Sequence, residues 1–176
     1  MIDRMTAPAP DPSVSEGLRG MMRGFPTGVA VVTATDAGGT PWGMTCSSVC
    51  SATLHPPTLL VCLRAAGPTL AAVLARGRFA VNLLHAGGRA TAELFASGAP
   101  DRFGKVAWRE DTDASGPHLW QDAHAVADCT VRMSQPVGDH VAVFGEVLRV
   151  TRQGDCRPLM YGLRTYSPWP GTETGA

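Results

Sequence analysis

Apolar positions repeat with two different periods along this chain, and the change of period divides it into elements. Leu18, Met21, Met22 and Phe25 fall at i, i+3, i+4 and i+7, one face of a helix. Ser13 and Glu16 have capping-box spacing ahead of that face, and Gly24 and Pro26 stop it. A stripe at this spacing is expected to pack into the core. From Gly28 the pattern becomes a continuous β-branched run to Thr35, followed by Asp36 to Pro41, whose glycines and proline favour a reversal. This predicts a hairpin. Further strands are predicted over Leu59–Leu63, Arg78–Leu84, Cys129–Met133 and His140–Val150, with a last short one over Leu159–Tyr166. Short helices are expected from Pro68 to Ala75, where Pro starts an alanine-rich stretch, and from Ala90 to Ala96.

Strands outnumber helices and follow one another as hairpins rather than as βαβ units, which predicts a mainly β, antiparallel barrel with a few peripheral helices. The 176 residues suit one domain. It is expected to span 13–167, between a disordered, proline-rich tail over 1–12 and a flexible, frayed polar tail over 168–176. Ser97 to Gln121, rich in glycine, proline and charge, reads as a long irregular excursion and as a candidate mobile lid, since loops of that length are usually functional.

Fifteen Lys+Arg balance fifteen Asp+Glu. With no basic run interleaved with aromatics, nucleic acid and anionic membranes are poor partners. Five cysteines, an odd number without disulfide-type spacing, read as reduced thiols, which with no signal-peptide pattern predicts a cytoplasmic protein. Cys46 with Cys50 and His118 with His124 form no zinc-ligand pattern, so no metal is expected. No G-x-G-x-x-G follows a strand, and Gly98 to Lys105 misses the P-loop spacing. A nucleotide would have to be held in some other way, with Arg64, Arg89, Arg102 and Lys105 as the phosphate candidates.

The stretch with the clearest chemistry is Gly43-Met44-Thr45-Cys46-Ser47-Ser48-Val49-Cys50-Ser51, running into His55-Pro56-Pro57. Its small and hydroxylated side chains would make a low wall rich in donors, suited to a planar polar ring. Pro26-Thr27-Gly28-Val29, this stretch, Pro56-Pro57, Arg78-Phe79-Ala80-Val81-Asn82 and Gly138-Asp139-His140 occur in the order and spacing of the flavin reductase family, which the chain resembles from Leu18 to Tyr166. Two departures stand out. Cys46 replaces the usual alanine, and His55 stands where an aspartate commonly precedes the prolines.

The resemblance implies an FMN-binding split barrel of Greek-key type, a homodimer with flavin sites near the subunit interface. It implies an NAD(P)H:flavin oxidoreductase that reduces FMN or FAD with NADH or NADPH and supplies reduced flavin to a partner monooxygenase. By the same resemblance Thr45, Cys46, Ser47 and Ser48 contact the flavin ring and ribityl chain. Cys62, Leu63, Arg64 and Thr69 close round the ribityl-phosphate end, and Asn82 is the flavin-side asparagine. Thr27, Gly43, Met44, Pro57, Phe79, Asp139 and Tyr166 complete the expected contacts, with Arg102 as a phosphate candidate. His140 follows a Gly-Asp turn and is expected at the nicotinamide side, mainly to orient it, because hydride transfer needs close ring stacking more than an acid. The competing reading is a flavin- or haem-binding barrel without turnover. An oxidase of the pyridoxamine-phosphate type would call for a basic cluster that the sequence does not display.

Overall fold

A computed structural model describes residues 11–154 and 156–170. Most of the expected tails, 1–10 and 171–176, lies outside the described residues. In chain order the elements are α1 (Pro12–Arg23), β1 (Thr27–Gly28), β2 (Ala30–Thr35), β3 (Pro41–Cys46), β4 (Val49–Leu54), β5 (Pro57–Arg64), α2 (Pro68–Arg76), β6 (Arg78–Leu84), α3 (Arg89–Ala96), β7 (Ala123–Val137), β8 (His140–Arg152), β9 (Leu159–Gly162) and β10 (Thr165–Pro168).

Seven strands form one antiparallel sheet in the order β3-β2-β6-β7-β8-β5-β4, and β1-β9-β10 form a second, small sheet. β3 and β4 are the two edges of the large sheet, yet they are consecutive in sequence and joined only by Ser47 and Ser48. The sheet must therefore curl until its edges meet. At the meeting point the Cys62 amide of β5 donates to the Ser48 carbonyl at 3.2 Å. The architecture is thus an antiparallel split barrel, with its seam at Ser47–Ser48.

Both faces of β2 are buried, which explains why its sequence runs apolar without alternation. Ala30, Val32 and Ala34 point inward, into a core shared with Val61, Leu63, Phe79, Val81, Val141 and Val143 and plugged by Leu70 and Val73 of α2. Val29 and Val31 point outward, into a second cluster with Leu84, Leu119, Leu159 and the α3 residues Ala92 and Phe95.

Several expectations are corrected. The first helix begins earlier than Ser13: Asp11 is its cap, accepting from the Ser13 amide at 2.9 Å, and Pro12 occupies the first turn. Its apolar stripe is not core, because no α1 residue is buried and Leu18, Met21, Met22 and Phe25 are all exposed. The hydroxyl-rich stretch from Gly43 to Ser51 belongs to two strands, β3 and β4, broken at Ser47–Ser48. The last strand is a hairpin, β9 to β10, turned by Leu163 and Arg164 at φ 51° and 61°. Two successive non-glycine residues in the left-handed region store about 1–2 kcal/mol each. Pro168 and Trp169 do not belong to a frayed tail, since Pro168 pairs with Leu159 and the Trp169 amide donates to the Pro158 carbonyl.

The largest correction concerns Ser97–Gln121. Its second half, Ala114 to Leu119, is buried from end to end and cannot act as a lid. Thr33 Oγ1 donates to the Pro117 carbonyl at 2.6 Å, and the Ser115 amide donates to Asp128 Oδ1 at 2.7 Å. Gly116 lies so close to β2 that a Cβ would stand 2.6 Å from the Thr33 carbonyl oxygen. The segment is a strap bound down over the outer face of β2.

Candidate functional site

The barrel seam gathers polar groups from four chain segments at one rim. β5 runs from the β4 turn to the seam and ends at Arg64, which is register partner of His140, the first residue of β8. The Ala65 amide donates to the Asp139 carbonyl at 2.9 Å, tying the tight turn before β8 to the end of β5. Ser47 and Ser48 cross in front of Cys62, and Cys46 Sγ lies 3.6 Å from the Cys62 carbonyl. Ser47, Ser48, Cys62, Arg64, Asp139 and His140 thus share one edge of the barrel.

Their state is as informative as their place. Ser47, Ser48 and Arg64 are exposed, and among the described residues neither serine hydroxyl has a hydrogen-bond partner and Arg64 has no ion-pair partner. His140 is half-exposed, with Nδ1 2.8 Å from Asp139 Oδ1. That hydrogen bond and the imidazole charge hold the Asp139 carboxyl below the usual carboxylate range. A ring nitrogen fixed by a carboxylate leaves the other, Nε2, aimed in a defined direction. Beside Ser47 a cleft of about 360 Å³ opens toward Thr27 and Tyr161, roofed by α1 and by the Leu163–Arg164 turn. Tyr166 stacks at a tilt on Tyr161, ring centroids 4.8 Å apart, and carries the Arg89 guanidinium over its own ring.

Other expected site residues lie elsewhere. Asn82 is fully buried: Nδ2 donates to the Val31 and Pro117 carbonyls and to Thr33 Oγ1, while Oδ1 accepts the Leu119 amide at 2.8 Å. Its amide fastens the strap and is not free for a ligand. Phe79, Leu63 and Thr69 are buried, and Phe79 and Leu63 belong to the barrel core. Cys46 faces inward with them, and burial pushes its thiol pKa up, so it is no nucleophile. Thr45 Oγ1 donates to the Ala92 carbonyl at 2.6 Å and so joins β3 to α3. Gly43 is small because α3 requires it, as a Cβ there would stand 2.8 Å from the Phe95 ring; Met44 packs half-buried against the core. Pro57 sits at the other end of β5, seven residues from Arg64 and so about 23 Å away. Arg102 lies over the Phe95 ring and donates to the Phe95 carbonyl at 3.4 Å, in a different cleft. Of the hydroxyls in that wall, those of Ser47, Ser48 and Ser51 have no partner among the described residues, and the first two lie at the seam.

Residues that the sequence did not single out line the cleft beside Ser47: Arg19, Arg23, Arg164 and Tyr161. The i, i+4 spacing of Arg19 and Arg23 was a visible signal. The contribution of Arg164 depended on a hairpin that composition did not reveal. No cluster of three or more metal-ligating side chains occurs among the described residues, and no described helix is long and apolar enough to cross a membrane.

This rim, set at the seam of a split barrel, has the donors that a flat polar ring needs, and comparison makes the class of protein definite. Residues 22–170 match the flavin reductase like domain, and the chain belongs to that family. It is 57% identical over 152 residues to a flavin reductase (NADPH) of Lentzea aerocolonigenes, covering 86% of this chain and 88% of the relative. It is 41% identical over 154 residues to a flavin reductase (NADH) of Kitasatospora aureofaciens, covering 87% and 81%. The fold is similar to the NADH:FAD oxidoreductase of Streptomyces globisporus C-1027 in complex with NAD and FAD fragments. That match has a TM-score of 0.84 at 30% identity and covers 95% of this chain and 99% of the other. The styrene monooxygenase flavin reductase of Pseudomonas putida S12 is also similar, with a TM-score of 0.78 at 30% identity over 87% of this chain and 97% of its own.

Proposed function

We propose that this protein is an NAD(P)H:flavin oxidoreductase whose flavin seat is the seam of the barrel and whose product, reduced flavin, leaves for a separate monooxygenase. The observation that carries the reading is that Ser47 and Ser48, whose hydroxyls have no partner among the described residues, share one open rim with Arg64, which has no ion pair among them, and with the Asp139–His140 pair. This donor set fits a flavin. Hydroxyls match the polyol and the polar edge of the ring, and a guanidinium matches a phosphate. Bound there, FMN or FAD supplies the acceptor for a hydride from NADH or NADPH.

The chain's own residues bind and orient. Ser47 and Ser48 donate hydrogen bonds from a stretch of main chain without bulky side chains, so a ring can approach closely. Arg64, anchored by the β5–β8 ladder, holds the charged end. His140, its Nδ1 fixed by Asp139, positions the nicotinamide through Nε2. The exposed rim suits a flavin that must depart after each turnover. Leu18 and Met21, exposed on α1 outside the cleft, and the exposed outer residues of the edge strand β4 support a homodimer, which sedimentation velocity of the full chain would detect or exclude.

The deciding experiment mixes purified protein with FMN, FAD or riboflavin, and with NADH or NADPH, under anaerobic conditions. Rapid bleaching of the flavin's visible absorbance, with free reduced flavin recovered through a small-pore membrane, is the expected result. Flavin that binds tightly but is never bleached would instead establish a carrier without turnover.

A further inference from the structure

We infer that the cleft roofed by α1 and the β9–β10 turn is a reader of the 2′-phosphate of NADPH, with Arg19, Arg23 and Arg164 as its specificity-determining residues. The inference rests on the flavin reductase reading, because the cleft shares Ser47 with the proposed flavin seat. Three arginines from two separate elements line this cleft, and no acidic residue does. Among the described residues none of the three has an ion-pair partner. Arg23 alone could be dismissed as a cation at a helix C-terminus, and Arg19 as a solvated charge one turn before it. Arg164 does not submit to that account.

Arg164 reaches the cleft from a turn whose two central residues, Leu163 and Arg164, are both held at positive φ. Neither residue type favours that conformation, so the surrounding structure has to impose it. It is imposed from α1: the Leu163 amide donates to the Arg23 carbonyl at 2.7 Å, which locks the turn against the helix end that carries the other two guanidinium groups. Strain at this turn and convergence of three cations are two observations of one built feature. The remaining walls include Met22 and Phe25, apolar surface against which a purine can lie. At about 360 Å³ the cleft is within the usual range for a small-molecule site.

Two phosphate sources share this chemistry, the 2′-phosphate of the nicotinamide donor and the phosphate of the flavin. The flavin phosphate has its own guanidinium in Arg64, which is no part of this cleft. The dianionic 2′-phosphate, present in NADPH and absent from NADH, is left for the three arginines, whose planar forks suit phosphate oxygens.

The test begins with calorimetric titration of the full chain with 2′,5′-ADP and with 5′-AMP, in the absence of flavin. Wild-type protein should bind 2′,5′-ADP at least about tenfold more tightly. The combined variant Arg19→Gln, Arg23→Gln, Arg164→Gln, checked for an unchanged thermal melt, should bind the two alike. In turnover it should raise the KM for NADPH about tenfold and leave that for NADH within about twofold. Arg164→Glu alone should reproduce most of the NADPH effect should the combined variant fold poorly. The proposal is overturned if wild-type protein does not distinguish the two ligands, if the KM values for NADPH and NADH rise together, or if the variant instead loses wild-type discrimination between FMN and riboflavin. The titration decides the matter even where no turnover is seen, so its failure and the failure of the flavin reductase reading are separate results.

Discussion

The strap Ala114–Leu119 and the seam Ser47–Ser48 are both short segments outside the regular strands, and, the buried and unpartnered Ser115 hydroxyl apart, the polar groups around them meet opposite fates. In the strap Thr33, Asn82 and Asp128 bind backbone groups that are themselves buried. At the seam, hydroxyls of the same chemical kind stand exposed with no partner among the described residues. Buried polar groups have to be satisfied, so a residue that satisfies them has no capacity left for a ligand. Exposed and unengaged groups retain theirs. This distinction, more than residue type, separates the flavin-side residues expected from sequence into fasteners and ligand candidates.

The comparison breaks most visibly at Asn82. Replacing it by leucine keeps the volume but orphans the Leu119 amide and deletes the bonds to Thr33 Oγ1 and to the Pro117 carbonyl, which keeps only its bond from Thr33. We expect a loss of about 4 kcal/mol of stability, lowering Tm by about 10 °C, with KM for flavin unchanged in the fraction that remains folded. A stable Asn82→Leu protein with weakened flavin binding would move Asn82 from the strap to the site.

Asp128 holds the same strap through charge. Its carboxylate accepts from His118 Nε2 and from the Arg149 guanidinium, both at 2.9 Å, as well as from the Ser115 amide. Burial alone would raise its pKa, but the hydrogen bonds from His118, the Ser115 amide and Arg149, with the charge of His118, outweigh burial and hold it below the ordinary aspartate value. A carboxyl depressed in the folded state contributes its full stabilisation above the unfolded value and loses it as pH falls through the lowered one. Asp128→Asn should therefore cost about 3 kcal/mol at neutral pH and flatten the acid limb of the stability curve below about pH 4. Urea midpoints followed from neutral to strongly acid pH give the answer, and parallel wild-type and variant curves would remove Asp128 from the pH dependence.

Much of the barrel was legible in the sequence because its strands carry unambiguous patterns: the β-branched run of β2, the alternation of β7, the apolar length of β8. The family motifs located the seam and the Asp139–His140 pair. What was not legible depends on facts that a linear pattern does not carry. Whether the stripe of α1 faces core or solvent is fixed by where the helix docks, not by its period. Whether Ser97–Gln121 is mobile or bound down depends on partners far away in the sequence, such as Asn82 and Asp128. Gly43 belongs to the same class, since its smallness answers to the Phe95 ring of α3 rather than to a ligand. The Leu163–Arg164 turn was hidden because neither residue is a turn former.

The finest test of the comparison is at the rim, where removing a residue should alter function and leave the fold untouched. His140 is half-exposed and its one described polar partner is the fully exposed Asp139, so His140→Ala should change stability by less than about 0.5 kcal/mol. Its proposed work is positional, the imidazole held by Asp139 so that Nε2 meets the nicotinamide. Loss of that positioning should lower kcat/KM for NADH by about tenfold while the dissociation constant for flavin, read by fluorescence quenching, stays within about twofold. A purely structural histidine would move neither number, and a histidine that gripped the flavin itself would move both together. Asp139→Asn gives the intermediate case, because an amide oxygen can still accept from the ring nitrogen, though less strongly than a carboxylate. A drop smaller than that of His140→Ala, in NADH use alone, is the outcome expected if orientation is what the pair supplies.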